Sequence, residues 1–214
     1  MRAKHEIIWI STTDSTNDEV KRHIHDLDNL SVVSALSQTS GRGQRGNIWL
    51  SNPGENLTFS IILKYQTSEV DLQKRPRMKA EDQVAISKVT AVSVTDFLRE
   101  YGIDSKIKYP NDIYVGDRKI CGILIEHSVM GNLLTHSIIG IGINVNQCIF
   151  DTTLPNPVSM KMCLSKAGGR TEDIDLNECL CRFMNIFNEN LCLLDKDRDN
   201  SILDQKYISR ALLR

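Results

Sequence analysis

A chain of 214 residues, 41% hydrophobic and 25% charged, has room for one sizeable core and is short for two full domains. Lys plus Arg number 26 and Asp plus Glu 27, so the formal net charge is -1. That balance argues against a general nucleic-acid coat protein and makes any anion site local. No run approaches the roughly 18 apolar residues of a membrane helix. No long apolar stretch follows Met1–Glu6, so no signal peptide is expected. The six cysteines, Cys121, Cys148, Cys163, Cys179, Cys181 and Cys192, form no C-x-x-C pair and join no histidine in a metal-ligand pattern. Reduced thiols in a cytoplasmic protein, several of them in the core, are expected.

Ile7 to Ile10 reads as a short strand. In Asp14-Ser15-Thr16-Asn17-Asp18-Glu19, Thr16 and Glu19 have the spacing of a capping box. A helix is predicted to start there with Val20, Ile24 and Leu27 inward. Ser31–Leu36 and Leu57–Leu63 are predicted strands, separated by a glycine-rich loop at Gly41–Gly46 that runs on to Pro53-Gly54. Residues 66–80 read as a surface loop. Ala85, Ile86, Val89, Val92, Ser93 and Phe97 recur at helical spacing, predicting a helix over Glu81–Tyr101 that Gly102 stops. The period then changes to strands at Ser105–Tyr109, Ile113–Val115, Arg118–His127 and Leu133–Ile143, with hairpin turns at Gly116-Asp117 and Gly131-Asn132. A connection over 151–170 leads to two helices. Asp175 caps the first, with Leu176, Leu180, Phe183, Phe187, Leu191 and Leu194 inward, and Ser201 opens the second. Mixed hairpins and helices without repeats indicate an α+β fold, not a doubly wound parallel sheet.

Four segments carry polar chemistry. Gly41-Arg42-Gly43-Gln44-Arg45-Gly46 has the form G-x-G-x-x-G, but no helix opens at its glycines and no Lys-Ser or Lys-Thr follows. Neither a dinucleotide fingerprint nor a Walker loop fits. Permissive glycines, free amides and two guanidiniums suit a phosphate or carboxylate, and Trp49 beyond them offers a flat face. A solvated basic loop or an arginine-glycine RNA contact is the alternative. In the second segment, a two-residue turn at Gly116-Asp117 would pair Tyr114 with Lys119, Ile113 with Ile120 and Asp112 with Cys121. Alternation then puts Asp112, Tyr114, Lys119 and Cys121 on one face, with Asp112 and Lys119 roughly 7–8 Å apart at the backbone. They could share a ligand or form a plain surface salt bridge. The glycines of Gly140-Ile141-Gly142-Ile143-Asn144 mark close approach of a ligand or of another backbone. The Asp14–Asn17 turn serves as a cap or as donors and acceptors for a neutral polar ligand.

Taken together these segments resemble the biotin protein ligase family over about residues 8–147: Asp14-Ser15-Thr16-Asn17, Gln38 with Gly41–Trp49, Lys108-Tyr109-Pro110-Asn111-Asp112, Lys119–Glu126 and Gly140–Asn144. The resemblance implies a single catalytic domain over 1–214, a mixed sheet flanked by helices like the core of class II aminoacyl-tRNA synthetases. It implies biotin and ATP as substrates, Mg²⁺, a biotinyl-AMP intermediate, and a biotin carboxyl carrier protein as the acceptor. Pairing of two chains through sheet edges is a further implied arrangement, with no nucleic-acid or membrane partner.

By the same resemblance Lys119, Arg42 and Asp112 would be catalytic. Ser15, Thr16, Asn17 and Gln38 would hold the ureido ring. Gly41, Arg42, Gly43 and Gln44 would close over biotin and the acyl phosphate, and Arg45 would meet the nucleotide phosphates. Trp49 and Asn144 would receive the adenine, Asn111 and Asp112 would line the phosphate and Mg²⁺ side, and Gly122 would leave space for the biotin rings. Gln44 stands where many relatives carry arginine, and Tyr109 where tryptophan is commoner. The resemblance covers neither an N-terminal helix-turn-helix nor the small C-terminal barrel of most relatives. A lipoate or octanoate ligase of the same core is the rival enzyme, and a nucleic-acid-binding module the rival from another class.

Overall fold

The computed structural model describes residues 6–67, 77–110, 112–166, 168, 172–194 and 201–212. Among these, seven strands form one mixed sheet: β1 (Ile7–Thr13), β2 (Val32–Gln38), β3 (Leu57–Lys64), β4 (Lys106–Lys108), β5 (Asp112–Val115), β6 (Arg118–Met130) and β7 (Leu133–Ile143). Their spatial order is β1-β2-β3-β7-β6-β5-β4. β1 and β2 run parallel and every other pair antiparallel. The helices are α1 (Thr16–Arg22), α2 (Gln83–Glu100), α3 (Met160–Lys166), α4 (Leu176–Leu191) and α5 (Ser201–Arg210). This is the mixed α+β sheet flanked by helices that the sequence predicts.

Alternation divides the sheet into an apolar face and a polar one. Leu57, Phe59, Ile61 and Leu63 of β3 and Ile139, Ile141 and Ile143 of β7 enter one core with α2 and α4. There Phe59 and Phe97 meet Phe183 edge-on, with ring centroids 5.3 and 6.0 Å away. On the other face lie Thr58, Ser60, Gly140 and Gly142, beside a small apolar cluster of Val20, Leu27, Val33, Ile62 and Ile138 under α1. The large core stabilises the sheet, and the α1 face is left for polar side chains.

Several elements depart from the sequence expectation. α1 starts at Thr16 with Ser15 as its N-cap, and no side chain caps it. The predicted capping box is absent because Thr16 faces the Ser60 hydroxyl at 2.7 Å, while Glu19 turns to Thr13 and Arg22. The helix ends at Arg22, and Leu27 is buried from the turn beyond it. α3 lies inside the predicted 151–170 connection; Ser159 Oγ accepts from Met162 N at 3.3 Å at its start. α2 begins at Gln83 after a 3₁₀ turn at Ala80–Asp82, and Gly102, with φ +73°, ends it as predicted. Asp175 caps α4, accepting from Glu178 N at 2.7 Å. Residues 68–76 of the predicted 66–80 loop lie outside the described residues.

The hairpin of β5 and β6 corrects the predicted register. Val115 pairs with Arg118 and Tyr114 with Lys119, but a β-bulge then sets Ile113 against Cys121 and Asp112 against Gly122. Ile120 and Cys121 are consecutive and both fully buried, since the extra residue lets two neighbours face the core. Cys121 therefore does not share a face with Asp112 and Lys119, and its place across from Asp112 falls to Gly122.

Phe183 is fully buried at the meeting point of α2, α4 and the sheet. Phe183→Ala is expected to lower the unfolding free energy by about 3–5 kcal/mol in a denaturant titration. A loss below about 1 kcal/mol would show that the core does not depend on this contact.

Candidate active site

The floor of the site is a row across four strands of the α1 face: Thr58 of β3, Gly142 of β7, Gly122 of β6 and Asp112 of β5. Two adjacent glycines leave a hollow in the sheet, and the Trp49 indole lies in it. A Cβ at Gly142 would collide with the ring, and one at Gly122 would sit 2.9 Å from Cζ3. Gly140, one row along, makes the same kind of room for the Asn17 amide. The strand glycines thus mark close approach of side chains from α1 and the loop. The space before Gly122 expected to hold biotin is filled by Trp49. The indole Nε1 is buried, and among the described residues it has no hydrogen-bond partner.

The turn between β1 and α1 forms one wall. β1 runs parallel to β2, so Thr13 pairs with Gln38 and the turn starts beside that side chain. Gln38 Oε1 accepts from Thr16 N at 2.8 Å. Ser15, Thr16 and Asn17 are all buried. Asn17 Oδ1 accepts from Ser60 Oγ at 2.6 Å, and its Nδ2 donates to Glu126 Oε2 at 2.8 Å and Leu124 O at 3.4 Å. Arg22 braces the turn from outside. It donates to Asp14 at 2.8 and 3.0 Å and to Thr13 Oγ1 at 3.0 Å, and pairs with Glu19. The Arg22 guanidinium and the Ser15 amide hold the Asp14 carboxyl well below the usual carboxylate range.

The glycine-rich loop crosses above. Trp49 N donates to Gly41 O at 2.9 Å and Gly43 N to Asn47 O at 2.7 Å, closing 41–49 into a narrow hairpin. A Cβ on Gly41 would strike the Trp49 carbonyl. The tip is a 3₁₀ turn, Gln44–Gly46, with Arg45 at φ +56°. Arg42 reaches back to the sheet, donating to Asp18 Oδ1 at 2.8 Å and to Glu126 at 2.9 and 3.2 Å.

At the far end of the row, Lys119 Nζ lies 2.8 Å from Asp112 Oδ1 and 5.9 Å from the centroid of the Trp49 ring. The backbone of Lys119 is held on both sides: its N donates to Asn156 O at 2.9 Å and its O accepts from Val158 N at 3.0 Å. The pair forms a salt bridge, and both residues line a cleft.

The cleft encloses about 320 Å³ and gathers Ser15, Thr16, Asn17, Gln38, Arg42, Gly43, Gln44, Arg45, Trp49, Asp112, Lys119 and Gly122. Gly41 closes the base of the loop behind them. Asn144 does not reach the cleft. It is buried, its Nδ2 donating to Val158 O at 3.0 Å and Lys119 O at 3.5 Å, so it braces the Lys119 backbone. Asn111 lies outside the described residues. Glu126 is the residue that the motif reading left without a role. Burial pushes its carboxyl pKa up, but hydrogen bonds from Lys21, Arg42 and Asn17 outweigh this and bring it to about 2. The signal is an acid directly after the apolar run of β6, two alternations from Gly122. Among the described residues no group of three or more His, Cys, Asp or Glu could hold a metal. The cysteines are free thiols. No described helix is long and apolar enough to cross a membrane.

Residues 9–144 match the Biotin/lipoate A/B protein ligase family. The bifunctional ligase/repressor BirA of Bacillus subtilis (strain 168) is 38% identical over 117 residues, 54% of this chain and 33% of that protein. Biotin–protein ligase 2 of Arabidopsis thaliana is 29% identical over 185 residues, 85% of this chain and 53% of that one. The chain thus spans about a third to a half of these relatives' length. The biotin protein ligase of Aquifex aeolicus, solved in complex with biotin and ATP, superimposes with a TM-score of 0.75 at 28% identity, covering 97% of this chain and 78% of that chain. With the family match extending over most of its length and the same fold in a solved relative, the chain belongs to the biotin/lipoate A/B protein ligase family.

Proposed function

We propose that this chain is the catalytic region of an ATP-dependent biotin–protein ligase, which activates biotin as biotinyl-AMP and passes it to a lysine of a biotin carboxyl carrier protein. The carrying observation is the Lys119 ammonium, 2.8 Å from Asp112, at the end of a cleft with one wall of neutral polar groups, Ser15, Thr16, Asn17 and Gln38. A neutral wall suits a ureido ring, and a fixed cation suits the place where two anions meet. The solved Aquifex relative, bound to biotin and ATP, supports the substrates.

In the first step a carboxylate oxygen of biotin attacks the α-phosphorus of ATP. One P–O bond forms, the bond to the β-phosphate bridge breaks, and pyrophosphate leaves with the electron pair. Both reactants are negative, and their repulsion grows as water is excluded. Lys119 orients the attacking oxygen and offsets charge gathering at phosphorus. Arg42 and Arg45 and the amides of the glycine loop face the phosphates. Trp49 and the biotin rings cannot both occupy the hollow over Gly122 and Gly142, so the indole moves off as biotin enters and becomes a face for the adenine.

In the second step the carrier lysine amine attacks the acyl carbon. A C–N bond forms, the C–O bond to phosphate breaks, and AMP leaves. Asp112 takes up the proton that the amine loses. Mg²⁺ bound to nucleotide phosphates needs only one or two protein carboxylates. Asp112, whose carboxylate lies in the cleft beside Lys119, would supply one. The ion would screen the phosphate charge.

Lipoate activation on the same core is the second reading, favoured only by the breadth of the family. Transfer of radiolabelled biotin or lipoate to a carrier domain separates the two; labelling by lipoate alone would overturn the biotin assignment. Lys119→Ala is expected to slow biotinyl-AMP formation by about 10²–10³-fold while biotin still binds. Pyrophosphate release at near the wild-type rate would remove Lys119 from the chemistry. Movement of Trp49 predicts a change in tryptophan fluorescence when biotin is added. The change should vanish in Trp49→Phe, where Trp9 alone remains; a signal that survives the substitution would place the motion elsewhere.

A further inference from the structure

Glu126 has no part in the reaction as described, yet both of its oxygens accept hydrogen bonds from Arg42, which lines the cleft. Oε2 accepts from Asn17 Nδ2 at 2.8 Å and from Arg42 Nη2 at 2.9 Å. Oε1 accepts from Lys21 Nζ at 2.7 Å and from Arg42 Nη1 at 3.2 Å. Asp18 takes Arg42 Nη2 at 2.8 Å from the other side. Two carboxylates, one guanidinium and one ammonium make a locally neutral cluster. It joins the glycine loop, through Arg42, to α1, through Asn17, Asp18 and Lys21, and to β6.

Arg42 is therefore not an idle cation awaiting a ligand, because its fork already holds a fork-matched carboxylate. An incoming anion can engage it only by drawing it away from Glu126 and Asp18 or by sharing it with them. We propose that Glu126 is a positioning residue that parks Arg42, so that the cleft's preference for an anionic ligand is set by competition between the Glu126 carboxylate and the ligand for one guanidinium. This rests on the biotin reading of the cleft.

Charge distinguishes this role from a structural one. If Glu126 merely supports the fold or the Asn17 amide, its loss should affect charged and neutral ligands alike. If it competes for Arg42, its loss favours only the anion. Lys21 and Asn17 stay in place in Glu126→Gln, and Asp18 remains as the weaker competitor, so the effect should be moderate.

The test is calorimetric titration of the full chain with biotin, anionic at neutral pH, and with biotinamide, its neutral amide. The ratio of the two dissociation constants, biotinamide over biotin, is expected to rise about two- to fivefold in Glu126→Gln, the size expected of a part-exposed ion pair. It should stay near the wild-type value in Glu126→Asp and rise less in Asp18→Asn. In an Arg42→Ala background Glu126→Gln should not move it. A ratio that is unchanged or falls in Glu126→Gln overturns the proposal, as does a rise that persists without Arg42.

Trypsin cleavage after Arg42 in the ligand-free chain reads the parking without any ligand. It should be severalfold faster in Glu126→Gln with the other sites unaffected, and equal rates overturn the proposal. A wild-type chain that binds neither ligand would remove the biotin reading, while the trypsin comparison would still decide whether Glu126 holds Arg42.

Discussion

Two glycines facing each other across β6 and β7 set the terms for the rest of the cleft. Gly122 and Gly142 stand in one row with Thr58 and Asp112, in the middle of the sheet, and Gly140 follows one row along. Without them the α1 face would be closed by packing, as the opposite face is. With them a hollow opens that is deep enough for an indole. The loop that fills it needs its own close approach at Gly41, where the chain doubles back on Trp49. Lys119 and Asp112 have meaning as a pair because they lie at the end of that hollow.

The two faces of the sheet divide stability from chemistry. The α2 and α4 side buries a continuous aromatic and aliphatic core, and its area dominates the folding free energy. The α1 side holds ion pairs that are about one-third exposed, Lys119 with Asp112 and Arg42 with Glu126 and Asp18. Such pairs add little stability. What they provide is geometry. Each cation is held at a fixed place by a carboxylate that a more strongly binding anion can replace. The cations of the site are thus neutralised by neighbouring carboxylates.

Much of this was legible in the sequence, and the parts that were not share a cause. The strands, the long helix with its Gly102 stop and the Asp175 cap follow from local pattern, because each depends on residues a few positions apart. The cleft residues followed from motif order. The bulge opposite Tyr114 did not, since the hairpin turn fixes register only until something inserts a residue. The buried pair Ile120 and Cys121, breaking alternation, was the one local trace of it. Asn144 was assigned to the adenine from its motif, whereas its amide braces Lys119 through contacts with Val158 that only the tertiary fold brings near. Nothing local gives Glu126 a role, because its partners come from α1 and the loop, over eighty residues away in sequence. α3 is too short to show a helical period within the 151–170 connection, and Ser159 at its start is its local signal.

Trp49 shows how a closed arrangement can stay easy to open. Its ring gains dispersion contacts from the strand glycines and lies near the Lys119 ammonium, but its Nε1–H is buried without an acceptor among the described residues. A buried donor left unpaired costs about 1–3 kcal/mol. That penalty offsets part of what the ring gains by lying in the hollow. A ligand that displaces the indole thus takes space whose present occupant is only weakly held, and the freed N–H can pair with water or with the ligand. The same logic applies to Arg42, which is bound well enough to be placed but through contacts that an anion can replace. Weak self-occupation of this kind keeps the hollow from collapsing and the cations from wandering, while leaving most of the ligand's binding energy available for closure over the reacting atoms.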